Sequence, residues 1–311
     1  METQQLNEVL SCLDKTRRLI HYHDDLFAIY LLSNYIGNKP NCSINELRNS
    51  QFSRLLNKPI IKPITAKCGD GLLSQERLSN SYSTNYHSFV LSLSKWGSKS
   101  EYQWAQTSRP GSNLVLQLNF TGEHDQMMQE LKIDCNTFKL CGHPICQQRN
   151  SLAWSRIDLD LESGEALIEE VQNDWLRIAK RQHRLACIAS QNSREYNYNR
   201  DLSDNSNQML EYTGRILQAY EKNWSEVMLF TTIRFIREEL GISKIYYHSI
   251  STAKVLKNLK YRFPPISLYT DLPRKFCFSR CNNTPIFLQQ EKTLRRRLKK
   301  LQDQTWFKLE I

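Results

Sequence analysis

Two short stretches of alternating residues, joined by a turn, constrain the fold of this chain most strongly. Residues 151–160 alternate in polarity along the chain, residues 166–172 return in the same manner, and the segment Glu162-Ser163-Gly164-Glu165 separates them. Alternation with a period of two places successive side chains on opposite faces of a strand, and a short glycine-containing segment reverses the chain. The sequence therefore predicts a β-hairpin over residues 151–172.

Other periodic segments place this hairpin in an α+β protein. Up to about residue 60, apolar residues recur at helical spacing, and residues 65–85 are typical of a loop with a little helix. Residues 89–93 and 113–120 have the composition of strands. The order of helices, then strands, then mixed helices and strands is typical of the α+β class with a mixed, largely antiparallel sheet. The polar stretch 190–207 is predicted to be a loop. We predict a helical N-terminal region over 1–85, an α+β core domain over 86–290 and a basic C-terminal helix over 291–311.

Charge and hydropathy restrict the classes of function. The 311 residues include 42 Lys and Arg against 32 Asp and Glu, and the net charge of +10 favours an anionic partner. No apolar run approaches the roughly 18–20 residues that a membrane-spanning helix needs, and the first residues do not resemble a secretion signal. We therefore expect a cytoplasmic protein without membrane contact, whose nine cysteines are mostly free thiols.

The end of the returning strand carries an unusual density of acids and amides, because residues 169–175 read Glu-Glu-Val-Gln-Asn-Asp-Trp. Alternation places Glu170 and Gln172 on one face of this strand and Glu169 on the other, and Arg156 of the partner strand could lie beside Glu170. Burial of such groups is costly unless function or dense hydrogen bonding compensates.

A plainer interpretation of the same segment stays open. The strand could face solvent along an edge, with Asn173 or Asp174 acting as the N-cap of the following helix, because both residue types favour that position.

This segment resembles a domain of the large polyvalent proteins of phages and mobile elements. That domain has an arginine-bearing strand, a turn, and a strand that ends in Glu-Glu-Ile-Gln-Ser-Asp-Trp. Its later blocks match residues 224–240, 244–250 and 268–275 in the same order, so that the resemblance covers about 143–280. Asn173 replaces the serine of the family motif, and the glycine-rich continuation after Trp175 is missing. The resemblance implies a protein related to phages or mobile elements.

The order of elements is also similar to that of acyl-CoA N-acyltransferases of the GNAT type. In that fold a hairpin strand runs into a helix whose N-terminal amides hold the cofactor pyrophosphate, and a helix, a strand and a tyrosine-bearing segment follow. The resemblance implies a GNAT-like transferase or a degenerate relative, with acetyl-CoA or another acyl-CoA as cofactor. It implies that Glu170 accepts a proton from an amine through water and that Tyr269 protonates the leaving thiolate.

The residues that these resemblances assign fall into two groups. The candidate catalytic residues are Glu170, Gln172, Asp174, Arg156 and Tyr269, and the candidate cofactor-binding residues are Trp175, Arg177 and Lys180. The glycine-containing loop Gln/Arg-x-x-Gly-x-Gly/Ala of the acyltransferases is not present in the sequence.

A rival function from another class comes from the basic segment 292–301. Leu294, Leu298 and Leu301 recur at i, i+4 and i+7, which predicts a helix with one apolar stripe and a cationic opposite face. The rival is a non-enzymatic, nucleic-acid-associated accessory protein of mobile-element or defence type. Its nucleic acid or acidic partner would bind Arg295, Arg296, Arg297, Lys299 and Lys300.

A cluster of cysteines and one histidine precedes the hairpin. Tetrahedral zinc accepts three cysteines and one histidine, and the candidates are Cys135, Cys141, His143 and Cys146. Their spacing is not that of a standard zinc knuckle, so that an ordinary loop with free thiols is the favoured interpretation and zinc is not expected.

Overall fold

The computed structural model describes residues 1–13, 18–80, 86–100, 105–191, 206–257, 259, 264–299, 301 and 304–311. Much of the predicted loop 190–207, as well as Lys300, lies outside these residues.

The N-terminal region is mostly helical, as predicted. Side-chain hydroxyls cap two of its short helices: Ser43 accepts the N–H of Asn45 and Ser74 accepts that of Arg77. The elements are α1 (Thr3–Cys12), β1 (Arg18–Tyr22), α2 (Leu26–Ile36), β2 (Asn41–Ser43), α3 (Ile44–Arg48), a 3₁₀ helix (Ser53–Asn57), α4 (Lys62–Ala66), β3 (Leu72–Ser74) and α5 (Gln75–Ser79). Strand β1 pairs with a strand of the following region, so that residues before 86 also contribute to the main sheet.

Strands and helices then follow one another to the end of the chain. The first group comprises β4 (His87–Trp96), β5 (Asn113–Asn119), α6 (Gly122–Glu130), a 3₁₀ helix (Cys135–Phe138), β6 (Ser151–Asp160) and β7 (Glu165–Gln172). Helices α7 (Trp175–Gln191), α8 (Ser206–Tyr220) and α9 (Trp224–Glu238) come next. The last group comprises β8 (Lys244–Tyr247), α10 (Ile250–Leu256), α11 (Ser267–Lys275), β9 (Ser279–Cys281), α12 (Ile286–Gln289), α13 (Lys292–Leu298) and β10 (Trp306–Glu310).

Eight strands form one mixed sheet in the order β1-β4-β5-β6-β7-β8-β10-β9, which confirms the α+β class. The predicted hairpin is β6–β7 at the centre of this sheet. Neighbouring strands are antiparallel except β7 and β8, which are parallel from Glu165↔Lys244 to Ile168↔Tyr247. Strand β8 ends there, whereas β7 continues to Gln172. We call the space beside residues 169–172, where β7 has lost this neighbour, the strand divergence.

Helices pack on both faces of the sheet around β7 and β8. On one face, α9 packs against β6 and β7, and its predicted apolar residues Leu229, Ile233 and Ile236 are buried in the main core. That core also contains side chains of the N-terminal helices, such as Leu6 and Phe27. A smaller core on the other side of the sheet contains Leu167, Tyr246, Leu256, Phe287, Leu288, Leu294, Leu298 and Trp306. Strands β7, β8 and β10 therefore lie between two apolar layers, which position the strand divergence in the interior.

The C-terminal segment differs from the expectation of a basic helix over 291–311. Helix α13 spans only Lys292–Leu298, and Trp306–Glu310 form β10. The physical reason is burial, because Trp306, Phe307 and Leu309 are almost fully enclosed when the strand pairs with β8 on one side and β9 on the other. The apolar stripe of α13 is as predicted, since Leu294 and Leu298 are buried.

Candidate functional site

A β-bulge determines which side chains enter the strand divergence. Across the hairpin, Arg156 pairs with Glu170, but the next residue, Ile157, pairs with Ile168, so that Glu169 is an extra residue on β7. A bulge of this kind interrupts the alternation of side chains. The expectation that Glu169 lies on the face opposite Glu170 is therefore wrong. Both carboxylates reach the same buried cluster of charged groups.

Glu170 is the centre of the first half of this cluster. Its carboxylate forms an ion pair with Arg156, accepts a hydrogen bond from Gln172, and lies 2.9 Å from the Nζ of Lys257. The same Nζ donates to the backbone carbonyl of Glu169 at 3.2 Å and to the hydroxyl of Tyr269 at 3.4 Å. The structure thus brings together four of the five candidate catalytic residues, namely Arg156, Glu170, Gln172 and Tyr269.

Glu169 organises the second half of the cluster. It accepts hydrogen bonds from the backbone N–H and the hydroxyl of Ser108 at 2.9 and 2.8 Å, and it lies 3.1 Å from Nε2 of His248. The Ser108 hydroxyl is also 2.9 Å from the same nitrogen, whereas Nδ1 of His248 faces Thr252. In a nucleophilic triad the carboxylate and the hydroxyl contact opposite nitrogens of the imidazole. Ser108 is therefore not arranged as an activated nucleophile.

The cluster is enclosed on every side by the protein. The side chains of Arg156, Glu169, Glu170, His248 and Lys257 are at most 3% exposed. The segment 105–109 covers them on one side, because Arg156 donates to the carbonyls of Ala105 and Gln106, and Ser108 binds Glu169. We call this segment the strap. A substrate could reach the cluster only if the strap or the neighbouring helices moved.

Burial and charge act against each other on these groups. Burial raises the pKa of Glu170, but Lys257 and Arg156 outweigh it and lower the pKa to about 2. Burial likewise raises the pKa of Glu169, yet its hydrogen bond with His248 and the nearby positive charges lower it to about 2. Burial lowers the pKa of His248 and of Lys257, and this effect exceeds that of the neighbouring carboxylates, which raise both values. Burial raises the pKa of Tyr269.

The charges of the cluster cancel. With both glutamates ionised, Arg156 and Lys257 protonated and His248 neutral, two negative charges face two positive charges at close range. Buried charges are tolerated when they are paired and hydrogen-bonded. A cluster that satisfies its own charges in this way has little unused capacity to bind a charged substrate.

The fifth candidate catalytic residue, Asp174, lies outside the cluster. Its carboxylate accepts from Trp154 Nε1 at 3.1 Å and contacts Nδ1 of His143 at 2.7 Å and a guanidinium nitrogen of Arg177 at 2.6 Å. Asp174 holds the loop before β6 against the start of α7.

The start of α7 does not fit the pyrophosphate of acyl-CoA in this structure. The side chain of Asn173 accepts the N–H of Leu176 at 2.7 Å, so the N-cap interpretation of this residue is correct. The carboxylate of Asp174 adds negative charge at the same turn. An anionic ligand would have to displace the Asn173 side chain from this N–H group and approach the carboxylate of Asp174.

The three candidate cofactor-binding residues also have protein partners. Trp175 is buried and donates its indole N–H to the hydroxyl of Tyr212 at 2.8 Å. Arg177 and Lys180 project from the surface of α7, where they pair with Asp174 and Glu221.

The candidate zinc ligands do not converge. Cys141 is exposed, Cys135 and Cys146 are half-buried, and His143 contacts Asp174. In the part of the chain that the structure describes, no group of three or more His, Cys, Asp or Glu side chains is arranged to hold a metal ion. All nine cysteines are free thiols.

Sequence reasoning missed Ser108, His248 and Lys257. His248 directly follows the buried strand β8, and alternation places it on the same face of the sheet as Tyr246. A polar residue at such a position could have been recognised from the sequence. Lys257 follows a short helix, and nothing in the local sequence distinguishes it from a surface lysine. Ser108 belongs to a loop and carries no periodic signal.

Comparison with protein-family models, with curated proteins and with solved structures yields no significant match for this chain. Among the described residues, no helix is both long and apolar enough to cross a membrane.

Proposed function

We propose that this chain is a cytoplasmic, non-enzymatic accessory protein that binds nucleic acid, built on a degenerate relative of the GNAT-like transferase fold. The observation that carries the proposal is the separation of charge. The acidic motif that suggested catalysis is turned inward and neutralised by Arg156 and Lys257, so that the whole excess of ten positive charges lies outside it. A surface of this kind attracts polyanions.

Helix α13 presents the clearest cationic surface. Leu294 and Leu298 fix the helix on the smaller core, and Arg297 donates to the carbonyl of Val255. The opposite side carries exposed cations that have no carboxylate partner in the described part of the chain: Lys292, Arg295, Arg296 and Lys299. This one-sided arrangement favours contact with the phosphates of a duplex, and α13 contains no aromatic side chain for stacking on unpaired bases.

Helix α7 supports the same function. Its exposed side carries Arg177, Lys180, Arg181 and Arg184, of which Arg181 and Arg184 form no ion pair within the described residues. These positions recur every three to four residues, so the cations form a stripe along the helix.

The proposal predicts a salt-dependent interaction with DNA that weakens when α13 is neutralised. In the variant Arg295→Gln/Arg296→Gln, we expect the slope of log K against log salt concentration to fall in magnitude by up to about 2, because each lost phosphate contact removes about 0.9. Fluorescence anisotropy with a short DNA duplex at several salt concentrations measures this slope.

A charge-matched control is available at the two ends of α4, where Lys62 begins the helix, Lys67 directly follows it, and both are exposed. The variant Lys62→Gln/Lys67→Gln removes the same net charge and should leave the slope nearly unchanged. Absence of binding at low salt, or equal effects of the two double variants, would contradict the proposal.

The proposal also predicts that acetyl-CoA does not bind, because the strand divergence is occupied by Lys257 and its partners and the first turn of α7 is capped. Isothermal titration calorimetry with acetyl-CoA and with a longer acyl-CoA should give no binding heat. Saturable binding that Glu170→Gln and Tyr269→Phe abolish, while a thermal melt shows both variants folded, would instead support the transferase function.

A further inference from the structure

One groove differs in charge from the rest of this basic protein. It has a volume of about 450 Å³ and lies between α1, the turn of the β6–β7 hairpin and the end of α9. Apolar side chains from all three elements line it: Val9, Leu13, Leu159, Leu161 and Leu240. We call it the acidic groove, because each charged side chain that lines it is a carboxylate, from Glu8, Asp160, Glu162 or Glu239.

Most of these carboxylates are available to a ligand. Glu239 is paired with Arg18, whereas Glu8, Asp160 and Glu162 form no ion pair within the described residues. Asp160 accepts the N–H of Ser163 and is thereby held in place at the hairpin turn. The described lining of the groove therefore carries a local excess of negative charge on a chain whose net charge is +10.

The apolar lining is also partly open to solvent. Leu161 is 60% exposed in the hairpin turn, and Val9 on α1 and Leu13 directly after this helix are half-buried. Exposed apolar side chains that are contiguous and surrounded by charge mark sites where another molecule binds.

We propose that the acidic groove binds a basic amphipathic helix of a partner protein. Such a helix would place its apolar stripe on Val9, Leu13 and Leu161 and its flanking lysines or arginines against Glu8 and Glu162. This is the helix-in-groove mode of recognition, in which apolar anchors supply affinity and complementary charge supplies specificity. Nucleic acid does not fit this surface, because its phosphates would meet carboxylates. The inference is therefore independent of the proposed binding of DNA by α13.

The test uses the full chain and a synthetic, fluorescently labelled peptide in which leucines recur at helical spacing and lysines fill the other positions. The control peptide has the same composition in scrambled order, so that it has the same charge but no apolar face. We expect saturable 1:1 binding of the amphipathic peptide and at least about tenfold weaker binding of the scrambled peptide.

Variants then localise the site. Leu161→Ser/Glu162→Lys should weaken binding about tenfold or more, because it removes an exposed apolar anchor and reverses one charge. Glu123→Lys/Glu130→Lys changes two exposed acids of α6 and should have little effect. Equal binding of both peptides, no binding at all, or equal losses in the two variants would overturn the inference. Because these four residues are exposed or partly exposed at a turn and on a surface helix, folding is expected to be retained.

Discussion

At the scale of single residues, the buried histidine is the group whose titration matters most near neutral pH. His248 is enclosed with Glu169, Ser108 and Thr252, and burial lowers its pKa below the ordinary value of 6.5. In the unfolded chain the same imidazole binds a proton more readily. Neutral His248 therefore makes its full contribution to the free energy of unfolding above about pH 6.5, and this contribution is lost as the pH falls below that value.

We predict that replacing this histidine flattens the dependence of stability on pH. Between about pH 7.5 and about pH 5.5 the free energy of unfolding of the unmodified protein should fall, with a contribution from His248 of at most about 1.4 kcal/mol per pH unit. His248→Gln should show a shallower fall, measured by urea denaturation at each pH.

The comparison isolates His248 from other groups. Burial also lowers the pKa of His124, to about 4, and this residue contributes equally to both proteins. Glu169 and Glu170, with pKa values of about 2, lose their contribution only as the pH falls from about 4.5 toward 2. Parallel curves for the two proteins would contradict the prediction.

The prediction of individual site residues succeeded where alternation holds and failed where it is interrupted. Glu170 and Arg156 face each other as the period of two requires, and Gln172 joins them. Glu169 was assigned to the wrong face because one extra residue in β7 shifts the register, and a bulge has no signature in this sequence. Tyr269 lies in the cluster because of tertiary packing. Only the family resemblance suggested this residue as part of the site.

At the scale of elements, Lys257 connects α10 to the unpaired end of β7. It follows the last turn of α10, and its ammonium group binds the side chain of Glu170 and the backbone of Glu169 where a neighbouring strand would otherwise pair. The ammonium group thus compensates part of the hydrogen bonding that β7 loses at the strand divergence.

We predict that Lys257→Met destabilises the protein by about 3–5 kcal/mol, because the carboxylate of Glu170 loses one of its two buried cationic partners. Adding Glu170→Gln to this variant should restore part of the loss, since the uncompensated charge is then removed. Chemical denaturation of the two single variants and the double variant gives the coupling energy.

The matched control is Lys180→Met, which breaks the exposed ion pair with Glu221 on the surface of the α7–α8 pair. Exposed pairs contribute about 0–1 kcal/mol. If Lys257→Met cost no more than this control, or if the double variant were no more stable than Lys257→Met, Lys257 would not compensate the buried charge of Glu170.

Elements with a strong local pattern were predictable, and those defined by long-range pairing were not. The hairpin β6–β7 and the helix α9 show clear periods of 2 and 3.6 residues, and both lie close to their predicted positions. Strand β10 has only five residues and follows a basic segment that reads as helix. It forms a strand because it pairs with β8 on one side and with β9 on the other. Such long-range pairing cannot be read from the local sequence.

At the scale of the whole molecule, the distribution of charge explains why the composition indicates an anionic partner although the sequence motif is acidic. The only recognisable motif is acidic, yet the chain has a net charge of +10. The structure separates the two by placing the motif in a neutralised interior and the cations on helices such as α7 and α13. The acidic groove is a local exception on the surface, and it would give the protein two binding surfaces of opposite charge.

The sheet order has a consequence for how the chain acquires its structure during synthesis. Strand β8 is complete at residue 247, but its second neighbour, β10, begins only at residue 306 and must insert between β8 and β9. Until residues 306–310 have left the ribosome, the edges of both strands remain available to other nascent chains. Pairing across such sequence separations is slow. Insertion of β10 within the chain therefore competes with strand addition from other chains, and this competition lasts from the synthesis of β9 until β10 has paired.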